Sequence, residues 1–314
     1  MATDDDRKGT PVPEPAGPSP RVAVVVATNR GGPFLEEALR SVVAQTLTDW
    51  ELVVVDDGAT DAGAVRGIVE AVDDPRVRLL RIPASGVSRA RDLGVEESRG
   101  AVLAFLDDDD RWDSRRLELG VAPFDDADVV ATYCGLRTID AAGNELVGAD
   151  QREVSGPVDV AAGVAGVLAP NVLVRRTAFD AVGGFDLRLA LGEDLDLLLR
   201  LAGRGRFVFV PAPLVDYRYH EGNTTRRYRD LAGAIRAIVR QHRDAARAAG
   251  DEPLARALTG RDEANDRFAA WSAARAARAS WRAGARRAAV GDLAWAARFA
   301  PRAPWLWLRH RVIG

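Results

Sequence analysis

The chain has 314 residues, 47% of them hydrophobic and 28% charged, with a formal net charge of −3 and one cysteine. That is enough apolar material for one large domain or two smaller ones, while a lone Cys134 excludes an intrachain disulfide and gives no sign of an oxidising compartment. The near balance of charge hides a split: residues 1–225 hold 24 basic and 38 acidic side chains, residues 226–314 hold 19 and 8, and the acidic larger part opposes nucleic acid as a partner.

The first 20 residues, MATDDDRKGTPVPEPAGPSP, begin with acids and are rich in Pro. They differ from a secretory signal and are expected to form a disordered leader. No apolar run approaches the roughly 20 residues that span a bilayer, so a cytoplasmic protein is expected. From Arg21 onward apolar runs alternate with amphipathic stretches. RVAVVVAT predicts a buried strand, and Pro33 opens a helix through PFLEEALRSVVAQ with Leu35, Leu39, Val42 and Val43 on one face. WELVVVDDG predicts a strand, AGAVRGIVEAV a helix, VRLLRIP a strand, SRARDLGVEES a helix and AVLAFLDD a fourth strand. Strands that are continuous apolar runs are covered on both faces, which predicts a mostly parallel α/β sheet flanked by helices.

In such sheets ligands bind beyond the carboxyl ends of the strands. That rule selects Asn29 and Arg30, Asp56 and Asp57, and the run Asp107 to Asp110. Carboxylates crowded into one crevice repel one another unless a cation lies between them. Oxygen ligands of this kind suit Mg²⁺ or Mn²⁺, especially where phosphate oxygens complete the shell. For Asp110 alone, turning the chain at the strand end is the preferred role. Other chemistries at strand ends fall away: VVVATNRGGPF lacks the Gly-x-Gly-x-x-Gly spacing of a dinucleotide loop, no P-loop is present, and Arg111 stands where an aspartyl phosphatase needs a small hydroxyl residue or Val. A phosphoacceptor domain needs a strand-end lysine, and the only lysine is Lys8.

Five stretches in order, VATNRGGPFLEEALRSVVAQT, ELVVVDDGATD, SRARDLG, LAFLDDDDRW and NVLVRRTAFDAVGGFDLRLALGEDLDLLLRLAGRG, resemble the family 2 glycosyltransferases, inverting nucleotide-sugar enzymes of the GT-A fold. The most specific part is Gly-Gly-Phe-Asp followed by Glu-Asp and a helical Leu/Arg pattern. The resemblance implies a GT-A domain over residues 21–225 and a helical C-terminal region over 226–314. It implies that Asp57, with Asp56 beside it, accepts a hydrogen bond from the nucleotide base, and that Thr28 and Asn29 line the nucleotide-sugar site. Arg91 is implied as a fixed cation near the nucleotide or its diphosphate. Asp107 to Asp109 match the acidic metal motif, with Asp109 in direct contact with Mn²⁺ or Mg²⁺ and Asp107 or Asp108 at the ribose or a metal-bound water. His220 is implied as a further metal ligand.

The chemistry needs a base to take the proton of an acceptor hydroxyl, and the resemblance puts that role on Asp194. Glu193 and Asp194 also suit a helix N-terminus, where acids are favoured by the dipole. The chain departs from the family at Val26 and Thr28, where Pro and a base-stacking aromatic are usual, and at Asp92, where Asn is usual. Donor specificity is expected from residues of about 130 to 195. Beyond Thr225, DLAGAIRAIVRQHRDAARAAG predicts a helix, and the Ala/Arg stretch that follows predicts more helix, broken near Gly284 and Gly291. Five of the seven tryptophans lie there among arginines. Trp beside Arg suits a membrane surface; the same pattern also suits an appendage packed on the catalytic domain. The expected partners are a nucleoside diphosphate sugar and a glycan or lipid-linked hydroxyl acceptor of surface-polysaccharide or glycolipid assembly, reached at the inner membrane face if the tail meets lipid. The competing functions are a non-catalytic nucleotide-sugar-binding scaffold and a sugar nucleotidyltransferase.

Overall fold

The computed structural model describes residues 19–149, 152–164, 166–223 and 227–303. The expected leader up to residue 18, the domain boundary at Thr225 and the terminal PWLWLRHRVIG, with Trp305 and Trp307, lie outside the described residues. The N-terminal part alternates strand and helix as its apolar runs predict: β1 (Val22–Thr28), α1 (Pro33–Val43), β2 (Trp50–Asp57), α2 (Ala62–Val72), β3 (Val77–Ile82), α3 (Val87–Glu96) and β4 (Val102–Asp107). Then come β5 (Arg111–Trp112), α4 (Arg116–Val121), β6 (Val129–Ile139), β7 (Glu145–Val147), α5 (Pro157–Ala162), β8 (Val172–Arg175), α6 (Arg176–Val182), α7 (Glu193–Ala202) and β9 (Arg206–Arg218).

One sheet runs β3-β2-β1-β4-β8-β6-β9-β5, with β7 paired to β6. β1 to β4 are parallel throughout, Val22 standing opposite both Trp50 and Val102. Beyond β4 the sheet becomes mixed, because β8 is antiparallel to β4 and β6 and β5 is antiparallel to β9. The chain winds outward from β1 through β2 to β3 and returns on the other side of β1 as β4. Neighbouring strands at such a reversal send their loops opposite ways and open a crevice at their carboxyl ends. Thr28 and Asp107 are the last residues of those two strands.

Alternation along β1 feeds two cores. Val22, Val24 and Val26 meet Leu35, Leu39 and Val42 of α1 on one face. Ala23 and Val25 meet Phe105, Phe179, Phe185, Leu197 and Leu201 on the other. The Gly-Gly-Phe-Asp stretch belongs to this second face: Gly184 has φ +69°, and a Cβ there would lie 2.9 Å from an Asp92 carboxylate oxygen. Asp92 also accepts the Phe185 N–H at 3.1 Å, so it anchors the turn that leads to α7.

Three helices follow, α8 (Tyr228–Ala248), α9 (Glu252–Arg282) and α10 (Arg286–Phe299). The break at Gly284 is as expected, whereas Gly291 lies inside α10, a place where glycine costs only about 1 kcal/mol relative to alanine. Val239, Ala246, Ala255 and Leu258 pack on Ala161 of α5 and on Leu195 and Leu199 of α7. His242 Nε2 meets Asp196 of α7 at 2.8 Å. The helices therefore dock on the sheet domain. Trp295 packs edge-on against Tyr228 and stacks on Phe299, while Trp271 and Trp281 are exposed.

Candidate active site

The crevice at the ends of β1 and β4 opens into a cleft of about 540 Å³. Its lining includes Thr28, Asn29, Asp57, Asp107, Asp108, Asp109 and Asp194 together, so acids from β2, β4 and α7 share one hollow. Each acid is held by its own partners. Asp57 accepts backbone N–H groups from Ser85 (2.6 Å) and Gly86 (2.9 Å), which fixes its carboxylate at the mouth of the loop before α3. Asp107 accepts from Arg91 at 2.5 Å. Asp108 accepts from the Thr28 hydroxyl at 2.6 Å and from Arg30 at 3.1 Å. Burial pushes the Asp108 carboxyl up, and those two donors pull it back. Asp109 accepts from Arg30 at 2.9 Å and meets His220 Nε2 at 2.9 Å.

Asp110 has the expected turning role. Its N–H bonds the Asp107 carbonyl at 3.2 Å, and its buried carboxyl accepts the Arg218 N–H of β9 at 2.8 Å. Burial, then the charges of Asp107 and Asp109, hold it well above the usual carboxylate range.

The geometry corrects two expectations. Asp56 does not face the cleft: it is 1% exposed, and its two oxygens take the Ala59 N–H and the Arg81 guanidinium, each at 2.7 Å. Adjacent residues of a strand point to opposite faces, so only Asp57 of the pair can reach the crevice. Arg91, 5% exposed, lies beneath the cleft rather than in it, with one guanidinium nitrogen on Asp107 and another on Glu193 at 2.7 Å. It braces two lining carboxylates and has no direct face to a ligand. His220 stands beside the acids as expected: its Nδ1 accepts the Gly222 N–H at 3.0 Å, and its Nε2 meets Asp109 at 2.9 Å.

Asp194 lies at the start of α7, on the opposite wall. Neither it nor Glu193 makes a side-chain cap, since the N-cap is Gly192. Glu193 serves Arg91, Asp196 serves Arg200 and His242, and Asp194 keeps, among the described residues, only the Leu195 N–H at 2.7 Å. Burial, then the Glu193 carboxylate, push Asp194 up to about 6, against the pull of Arg91. A carboxyl so placed can take a proton near neutral pH.

Among the described residues no group of three or more His, Cys, Asp or Glu side chains converges as a ready metal cage. The donor set nevertheless fits a hard divalent cation that keeps most of its shell for ligand oxygens. Asp107 and Asp109 both line the cleft, and the Arg30 guanidinium drawn onto Asp108 and Asp109 marks where positive charge is favoured.

The family model for glycosyl transferase family 2 matches residues 22–182, from β1 to the end of α6. The chain belongs to this family. The chain is 30% identical over 222 residues to the succinoglycan biosynthesis protein ExoO of Rhizobium meliloti, a match covering 66% of this chain and 63% of ExoO. The matched region spans about two thirds or less of the length of the curated relatives. Its fold is that of GT-A glycosyltransferases. The mannosyltransferase PcManGT of Pyrobaculum calidifontis, solved with GDP-Man and Mn²⁺, superposes with a TM-score of 0.61 at 21% identity, over 91% of this chain and 88% of that one. Residues 1–349 of S. aureus TarS, solved with UDP-GlcNAc, give 0.61 at 17%, over 87% and 90%.

Asp194 and everything C-terminal to it lie outside the matched span of the family model. The cleft also contains residues that sequence reasoning missed. Arg30 was visible at a strand end without a role. Leu231 and Ile235 of α8 and Arg261 of α9 line the cleft from beyond the expected specificity segment of about 130 to 195. The helical spacing of Leu231 and Ile235 signalled a buried face, but nothing local said that the face met a ligand site.

Proposed function

We propose that the protein is an inverting glycosyltransferase, moving a sugar from a nucleoside diphosphate donor to a hydroxyl acceptor in the assembly of cell-surface polysaccharide or glycolipid. One observation supports this above the rest: Asp57 of β2, Asp109 of the turn after β4 and Asp194 of α7 line the same cleft. In this reading Asp57, held by two backbone N–H groups, accepts the imide or amide N–H of the base. Thr28 and Asn29 border the donor, and Thr28 keeps Asp108 in place.

Asp107 and Asp109, with the diphosphate oxygens, would hold Mn²⁺ or Mg²⁺, which when bound supplies charge for the departing diphosphate. Arg91 keeps Asp107 and Glu193 oriented from below. Asp194 takes the proton of the acceptor hydroxyl as that oxygen attacks the anomeric carbon from the face away from the nucleotide. The carbon–oxygen bond to the diphosphate breaks as the new glycosidic bond forms, so the anomeric configuration inverts in one step. Exposed Trp271 and Trp281, with Arg275 and Arg286 over their rings, suit peripheral attachment to an anionic membrane at the cytoplasmic face. No helix among the described residues is long and apolar enough to cross one.

A panel of UDP-, GDP-, dTDP- and CDP-sugars with Mn²⁺ tests the donor site without knowledge of the acceptor, because binding raises Tm by mass action. One donor is expected to raise Tm by several degrees in the native protein and by much less in Asp57→Ala. No response from any of them contradicts the reading.

A further inference from the structure

Among the basic residues of α8 and α9, Arg261 is the one that lines the cleft. Arg236 pairs with Asp262 and Asp266, Arg240 pairs with Asp262, and Arg243 pairs with Asp244 and Asp262. Arg261 lines the cleft with Asp194, Leu195, Leu231 and Ile235, and no carboxylate among the described residues pairs with it. Its guanidinium is seated rather than loose. α5 ends at Gly163, with φ +69°, and a Cβ at that position would lie 1.4 Å from Arg261 Nη1. Glycine adopts that left-handed backbone without strain and leaves the space that the guanidinium occupies. Burial lowers the Arg261 pKa, and the nearby Asp194 carboxylate opposes this.

A partly buried cation with no carboxylate within ion-pair distance is costly, and part of the cost is recovered when a ligand anion pairs with it. The position decides which ligand. Arg261 enters from the helix-borne wall beside Asp194, whereas the carboxylates of the proposed diphosphate site sit on the sheet-borne wall and have Arg30 and Arg91 for themselves. Leu231 and Ile235 add apolar surface beside it on which the face of a sugar ring can rest.

We infer that Arg261 is a specificity residue for the acceptor: it binds a carboxylate or phosphate carried on the acceptor close to the attacked hydroxyl, so that this enzyme glycosylates an anionic glycan. The inference rests on the proposed role of Asp194 as the base. The helical region then serves the reaction directly, completing the acceptor half of the cleft.

The test compares binding of paired probes to the full chain in saturating UDP or GDP with Mn²⁺. The pairs are p-nitrophenyl glucuronide against p-nitrophenyl glucoside for a carboxylate, and glucose 6-phosphate against glucose for a phosphate. The native protein is expected to bind at least one anionic member roughly tenfold more tightly than its neutral partner, and the pair that responds identifies the anion. Arg261→Gln is expected to erase that preference while leaving nucleotide stabilisation within twofold. Arg261→Lys, which keeps the charge without the fork, is expected to retain a reduced preference, and it carries the test if the Gln variant fails to fold. An anionic preference that survives in Arg261→Gln, or is absent from the native protein, overturns the inference. Loss of nucleotide stabilisation in Arg261→Gln also overturns it, by putting the guanidinium on the diphosphate. If no nucleotide stabilises the native protein, the donor-site reading fails instead, and the probe pairs measured without nucleotide still decide the role of Arg261.

Discussion

Along the sheet-borne wall of the cleft every lining acid is matched: Asp57 by two backbone N–H groups, Asp107 by Arg91, Asp108 by Thr28 and Arg30, Asp109 by Arg30 and His220. Across from it, Asp194 holds one backbone N–H and Arg261 pairs with no carboxylate among the described residues. The contrast separates two tasks. Groups that bind and orient a charged ligand are pre-set by neighbours, which keeps reorganisation small. On the proposed reading, groups that exchange a proton or discriminate an acceptor keep capacity in reserve, in keeping with burial and Glu193 pushing the Asp194 carboxyl up.

The largest expected effect breaks the helix-borne wall at its base. Asp194→Asn keeps the shape and removes the proton acceptor, so turnover should fall by about 10²- to 10⁴-fold. Donor binding, read as thermal stabilisation by nucleotide sugar, should stay within twofold. A loss of binding in step with turnover would move Asp194 to the donor side.

Arg91→Ala strikes the sheet-borne wall from below. It leaves Asp107 and Glu193 without their shared cation, and removing one member of a buried ion pair costs about 3 kcal/mol or more. Chemical denaturation should report that loss, and a variant as stable as the native protein would deny Arg91 its bracing role. Asp57→Asn makes a finer cut: donor affinity should drop by roughly tenfold with the fold intact, measured by titration calorimetry. His242→Ala is the smallest. It unties α8 from Asp196 on α7, and the lost hydrogen bond should cost about 1 kcal/mol, visible as a Tm lower by a few degrees with unchanged donor affinity.

The same two walls differ in how far residue order reveals them. VAVVVAT, ELVVVDD and VLAFLD announce buried parallel strands because helices cover both faces. Strand-end geometry then puts Asp57 and Asp107 to Asp109 at the crevice. Local pattern does not say which of two adjacent acids faces it: Asp56 turns to Arg81 because the pleat alternates, a matter of register set by the first residue of β2. Nor does it reveal that Arg91 sits behind the acids, since its partners Asp107 and Glu193 lie 16 and 102 residues away. The helix-borne wall is harder still. Leu231, Ile235 and Arg261 reach the cleft only because α8 and α9 fold back on α5 and α7, and one arginine among 19 basic residues carries no local mark. Gly163, whose missing Cβ admits Arg261, is equally unmarked from its own neighbours.

The role of Asp194 as the base is tested most directly by the pH dependence of kcat/KM for sugar transfer. With its carboxyl pushed up to about 6, Asp194 must be ionised to accept a proton. Below that pH kcat/KM should therefore fall about tenfold per unit and level off above it. A profile that stays flat down to pH 4.5, or an acid limb at the ordinary carboxylate value near 4, would contradict the assignment of Asp194 as the group that deprotonates the acceptor.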